Sequence, residues 1–202
     1  IILNQVNLLI LREKKILILG DSTAVGVGAK PEESIAALLS EHLDASVENY
    51  AVSGAVSADI EKQALQAHAD TYDLIHIQIG ANDVIGVGSL RAAADALDAQ
   101  LAQLKLKSEL ITVITAGDIG NSPIFRWPLS SAISYRTRIL RDMFMEACAR
   151  HGVIYVDIYS KPDVFSADPA RYHAADGLHL SAEGYRHWFK LLIDELEKAP
   201  RA

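Results

Sequence analysis

The sequence predicts an α/β protein: a three-layer α/β/α sandwich built on a five-stranded parallel sheet with a flavodoxin-like strand order. Three observations carry this. Short, apolar, β-branched-rich runs recur at residues 15–19, 45–50, 73–79, 110–115 and 153–159. Helical patterns separate them, and strands that alternate with helices form βαβ units and hence a parallel sheet. The run at 74–79 is nearly continuous in apolar residues, as a central strand covered on both faces must be. Right-handed crossovers then leave few topologies.

Taken in order, the first run ends at Gly20 and is followed by a helix start at Pro31-Glu32-Glu33. Proline lacks only an N–H that a helix would orphan there, and the acids suit the positive end of the helix dipole. Between the third and fourth runs, Leu90, Ala93, Ala94, Leu97, Leu101 and Leu104 share one helical face, opposite Asp95, Asp98 and Lys105. Residues 118–134 form the longest irregular stretch, and a loop of that length in a compact domain is often functional. Its Phe125 and Trp127, with Tyr135 just beyond, suit a substrate pocket and ordinary packing equally well. Arg136, Arg138 and Arg141 read as the solvated face of a helix. Near the end, Ser181 caps a last helix, with Leu180 and Tyr185 at the two positions of a hydrophobic staple.

Composition bounds the function. Half of the 202 residues are hydrophobic, enough for one domain with a substantial core, placed at residues 15–198 after an N-terminal extension of residues 1–14. Asp and Glu (26) outnumber Lys and Arg (19), the wrong sign for a protein that neutralises nucleic-acid phosphates. A small-molecule substrate is expected instead. The single cysteine, Cys148, permits neither an internal disulfide nor a Cys-rich zinc site, and its apolar helical context makes it core. Residues 1–11 are mostly apolar but too short to span a bilayer, and Asn4, Gln5 and Asn7 interrupt them. They fit a signal or anchor remnant, with membrane association or a periplasmic location, or else an added element on a cytoplasmic protein, which is the preferred reading.

In such a sheet, ligands bind beyond the carboxyl ends of the strands, where the strand order reverses. The loop after the first strand reads Gly20-Asp21-Ser22. A serine hydroxyl is a weak nucleophile at neutral pH and needs a base within hydrogen-bond reach and a group that orients the base. Asp176-Gly-Leu-His179 offers both, since a three-residue separation lets Asp176 reach the imidazole and fix its tautomer. Two further strand-end loops contribute Ser53-Gly54, where a glycine lets the backbone N–H approach a ligand, and Gly80-Ala81-Asn82-Asp83, where the Asn82 amide is a donor.

These four blocks, in this order and each after a predicted strand, resemble the conserved blocks of the SGNH (GDSL-type) hydrolase family over about residues 15–195. The resemblance implies an esterase or lipase with a flavodoxin-like SGNH hydrolase fold. It implies Ser22 as nucleophile, His179 as general base and then acid, and Asp176 as the orienting carboxylate. Ser22 N–H, Gly54 N–H and the Asn82 side chain would form the oxyanion hole. It also implies neither a metal nor an organic cofactor. The second block departs from many relatives in carrying Ala51 where they carry glycine. The natural acyl group and alcohol, and transfer to an alcohol rather than water, stay open.

Competing readings explain less. Gly26-x-Gly28 lacks the third glycine of a dinucleotide fingerprint, and no Gly-Lys-Ser or Gly-Lys-Thr follows. Gly20-x-Ser22-x-Ala24 approaches the nucleophile elbow of α/β-hydrolases, yet it follows the first strand, and the acid lies only three residues before the histidine. A metal site of His173, Asp176 and His179 would need a further ligand and leave the Ser22 and Asn82 loops without a purpose. A non-catalytic binding module on the same fold is opposed by the intact set Ser22, Gly54, Asn82, Asp176 and His179. His42, His68, His151 and His187 read as structural, His76 as a strand residue satisfied in the core, and Asp21 and Asp83 as acceptors that shape their loops.

Overall fold

Five parallel strands in the order β2-β1-β3-β4-β5 form the sheet of the computed structural model, which describes residues 13–198. The N-terminal stretch read as an anchor or an added element therefore lies almost wholly outside the described residues, as do residues 199–202. The strands are β1 (Lys14–Gly20), β2 (Ala45–Asn49), β3 (Leu74–Gln78), β4 (Ile111–Ile114) and β5 (Ile154–Val156). The nine α-helices of the described residues are α1 (Ser22–Val25), α2 (Ile35–Leu43), α3 (Ile60–Ala64), α4 (Ala81–Ile85), α5 (Leu90–Leu104), α6 (Leu129–Arg150), α7 (Val164–Ala167), α8 (Pro169–Tyr172) and α9 (Ala182–Leu196).

Alternation along β1 divides the core into two layers. Ile16 and Ile18 face a cluster that includes Ile35 and Leu39 of α2 and Tyr185, Trp188 and Leu192 of α9. Leu17 and Leu19 face the other cluster, built with Ile60 of α3, Leu97 and Leu101 of α5, and Leu140 and Phe144 of α6. All five residues of β3 are buried, as a central strand covered on both sides requires. Cys148 lies in the second of these layers, as expected.

The strand order reverses between β1 and β3, which pair in register from Ile16↔Leu74 to Gly20↔Gln78. The chain leaves β1 toward β2 and leaves β3 toward β4. Their carboxyl ends therefore open a crevice, and the loops bearing Ser22 and Asn82 stand side by side on it.

Several boundaries differ from those expected. Pro31 opens a 3-10 turn (Pro31–Glu33), and the helix proper starts at Ile35, because Ser34 is extended and its hydroxyl caps Ala37 N–H. β5 ends at Val156 rather than 159, since the next carboxylate, Asp157, turns to the guanidinium of Arg141. The irregular stretch placed at 118–134 is shorter. A 3-10 turn covers Ile119–Asn121, and α6 already begins at Leu129. Ser181 does cap α9 by accepting from Gly184 N–H, and Leu180 and Tyr185 are buried together in one cluster.

Candidate active site

Asp21 sets the first part of the site. Its Oδ1 accepts from Thr23 N–H at 2.9 Å and from the Thr23 hydroxyl at 2.8 Å, so it caps α1 and leaves Ser22 as the first helical residue. The first N–H groups of a helix have no partner inside it. Ser22 N–H accordingly makes no hydrogen bond to the described residues. Behind it, the Gln63 side-chain amide grips Gly20 from both sides, accepting from its N–H at 2.7 Å and donating to its carbonyl at 2.9 Å. Nothing in the sequence singled out Gln63, whose role depends on α3 packing under β1.

The C-terminal loop supplies the histidine. Asp176 Oδ1 accepts from Leu178 N–H and His179 N–H, both at 2.9 Å, while its Oδ2 lies 2.6 Å from His179 Nδ1. A carboxylate accepts only, so Nδ1 carries the proton, and in the neutral ring Nε2 is left with its lone pair. That nitrogen is 3.0 Å from Ser22 Oγ, placed to accept the hydroxyl proton. Burial works to raise the Asp176 pKa, but the His179 ring and the two amides outweigh it and hold the carboxylate at about 2. Asp176 is therefore ionised at neutral pH. Gly28 makes room for this arrangement: with φ +99°, a Cβ there would lie 2.4 Å from Leu180 O and 3.0 Å from His179 Cβ. The glycines considered for phosphate binding thus serve helix termination at Gly26, the C-cap of α1, and close packing at Gly28.

The remaining two loops are stitched to each other. Asn82 Nδ2 donates to Ala55 O at 2.9 Å, which fixes the amide and leaves its second hydrogen for another acceptor. Asp83 accepts from Ser57 N–H and from the Ser57 hydroxyl at 2.9 Å, the loop-shaping role expected of it. Ala51 N–H donates to Asn49 Oδ1, so the methyl at this position leaves the second block intact. Gly54 has φ +86°, a conformation that side chains rarely adopt, and its N–H is unengaged among the described residues. Ser22, Gly54, Asn82 and His179 all line one cavity of about 450 Å³. Its further wall includes Ile119, Ile158, Phe165 and Trp188.

Other candidates fall elsewhere. Phe125, Trp127 and Tyr135 do not line the cavity; Phe125 packs on the core and the other two are exposed. His187, read as structural, does line it, and its ring meets Phe165 and Tyr172 edge-on. His76 is buried with Nδ1 2.8 Å from the Thr112 hydroxyl, but its Nε2 takes no partner, so it is less fully satisfied than expected. Among the described residues, no group of three His, Cys, Asp or Glu side chains is placed to hold a metal ion. The arginines are not simply a solvated face. Arg136 donates to the carbonyls of Asp83, Val84, Gly86 and Gly88, closing the end of the short helix that carries Asn82. Arg141 grips Asp157 and the Ser160 hydroxyl below the cavity wall.

The sequence of residues 18–187 matches the model of the GDSL-like lipase/acylhydrolase family. The chain belongs to that family. It is a GDSL-type carboxylic ester hydrolase, and small-molecule esters are its class of substrate. No curated protein matches the chain significantly. Among solved structures, the fold is similar to that of phospholipase A1 from Streptomyces albidoflavus, with 19% identity, a TM-score of 0.74, and coverage of 91% of this chain and 100% of that one. A lipolytic G-D-S-L family protein from Veillonella parvula gives 16% identity, a TM-score of 0.73, and coverage of 92% and 100%. The psychrotrophic esterase EstA from a Pseudoalteromonas species gives 16%, 0.64, 92% and 98%.

Asp21, one residue before the hydroxyl, carries a pH signature that tests how closed this GDSL site is. Burial lifts its pKa from 3.8 to about 6, aided by Asp83 and opposed by the Thr23 hydrogen bonds and by His179. A folded-state pKa above the unfolded value means that the folded protein holds a proton the unfolded chain releases. The resulting stability is complete below about 3.8 and is lost as pH rises through about 6. At about 1.4 kcal/mol per pKa unit, the loss is on the order of 3 kcal/mol. Asp21→Asn keeps an oxygen for the Thr23 cap and removes the titration. The Tm of this variant relative to wild type is expected to rise by roughly 5–10 °C between pH 4 and pH 8; an unchanged difference would contradict the assignment.

Proposed function

We propose that the protein hydrolyses carboxylic esters or thioesters through an acyl-enzyme on Ser22. The observation that carries this is the unbroken pair of hydrogen bonds from Asp176 through His179 to Ser22 Oγ. In the first half-reaction, Ser22 Oγ attacks the carbonyl carbon while His179 Nε2 takes the hydroxyl proton. The tetrahedral intermediate collapses, the bond to the leaving alcohol or thiol breaks, and His179 returns the proton to that group. In the second half, a water oxygen attacks the acyl carbon while His179 Nε2 takes its proton; the second tetrahedral intermediate collapses, the acyl–Oγ bond breaks, and the imidazole returns the proton to Ser22 Oγ, which frees the carboxylic acid. Ser22 N–H, Gly54 N–H and the free Asn82 hydrogen stabilise the oxyanion, a reading supported by their lack of competing acceptors and by their shared cavity. The apolar wall of Ile119, Ile158, Phe165 and Trp188 accommodates the acyl chain.

Asp176→Asn tests the orienting role. An amide can offer Nδ1 a donor in place of an acceptor and so favour the wrong tautomer of His179. A fall in kcat of roughly a hundred- to ten-thousandfold, with KM little changed, is expected on a short-chain aryl ester. Wild-type turnover in this variant would overturn the triad.

A further inference from the structure

The chain as a whole is acidic, with a net charge of −7, yet residues 119–141 hold four arginines and no Asp or Glu. Two of these, Arg136 and Arg141, are occupied by carbonyls and by Asp157. The other two, Arg126 and Arg138, are exposed and make no ion pair among the described residues. Beside them the same stretch exposes large apolar side chains: Trp127 at 82%, Tyr135 at 58%, Leu129 at 54% and Ile124 at 53%. The Arg138 guanidinium lies 5.7 Å from the Tyr135 ring centroid. Isolated exposed apolar residues are ordinary, but four within twelve positions form a patch that calls for a partner.

The patch adjoins the catalytic cavity. Ile124 N–H donates to Gly177 O at 3.2 Å, inside the loop that carries Asp176 and His179. Ile119 and Ser122, just before it, line the cavity itself.

We propose that this patch docks the protein on an anionic phospholipid surface, with the mouth of the cavity facing the bilayer. Tryptophan and tyrosine favour the membrane–water interface, where an apolar ring and a polar edge are both accommodated, and arginine meets lipid phosphates. Charge complementarity selects this occupant over a second copy of the chain. A two-fold contact would set Arg126 and Arg138 against the same cationic patch, whereas lipid phosphates meet them with opposite charge. The acidic remainder of the molecule orients the patch toward such a surface. Among the described residues no helix is long and apolar enough to cross a membrane.

Vesicles of ether-linked phosphatidylglycerol and phosphatidylcholine test the proposal, because they contain no carboxylic ester to hydrolyse. Failure here would leave the reading of Ser22 untouched. Trp127 and the buried Trp188 are the two tryptophans of the chain, so a blue shift of emission reports on Trp127. The full chain is expected to sediment with the mixed vesicles and to release in high salt or on pure phosphatidylcholine. Trp127→Ala is expected to weaken partitioning about tenfold. The pair Arg126→Gln and Arg138→Gln should weaken it about twenty-five-fold, at roughly fivefold per arginine. Turnover of a soluble short-chain ester should be unchanged in both variants. Equal vesicle binding by wild type and variants, no binding at all, or a dimer that dissociates on Trp127→Ala would each overturn it.

Discussion

Removing the Ser22 hydroxyl in Ser22→Ala is expected to lower kcat roughly ten-thousand- to million-fold, and His179→Ala is expected to cost about as much. In the proposed mechanism the two act as one device. A hydroxyl without a base 3.0 Å away stays protonated, and a base without that hydroxyl has nothing to activate. The double variant is therefore expected to be less than about tenfold slower than either single one. Steady-state rates on one aryl ester check this. Additive losses would mean that the imidazole serves a step the hydroxyl does not share.

The second large effect concerns the oxyanion. Asn82→Ala is expected to reduce kcat about a hundred- to a thousandfold, equivalent to roughly 3–4 kcal/mol of transition-state stabilisation, while KM moves little. The reason is that, in the proposed mechanism, the negative charge on the former carbonyl oxygen exists only after Ser22 attacks. A donor held in place beforehand by Ala55 O needs no reorganisation when that charge appears. Asn82 also ties α4 to the neighbouring loop, so the thermal midpoint of the variant must be measured beside its rate. A wild-type rate in a folded Asn82→Ala would remove the amide from the mechanism.

The parts of this site legible in the sequence are those fixed by short spacing. Asp176 and His179 are three residues apart, and Gly20-Asp21-Ser22 sits directly where a strand turns into a helix. The sheet order was legible because continuous burial and right-handed crossovers leave few alternatives, and β2-β1-β3-β4-β5 is the flavodoxin-like one. The supports between distant segments were not legible. Gln63 lies 43 residues from the Gly20 backbone it grips, and Arg136 lies about 50 residues from the carbonyls it gathers. Both side chains look like ordinary helix-surface residues until packing sets what lies opposite them. The place of His187 in the cavity lining was not legible for the same reason, since it depends on the approach of α9 to the α7–α8 segment.

Covalent trapping tests the central claim most directly. Incubated with a fluorophosphonate, which phosphonylates a serine oxygen activated by a neighbouring base, the full chain should take up one equivalent. Peptide mass mapping should locate that label on Ser22, and Ser22→Ala and His179→Ala should each abolish it. A label found on another residue, or undiminished labelling of Ser22→Ala, would contradict the account.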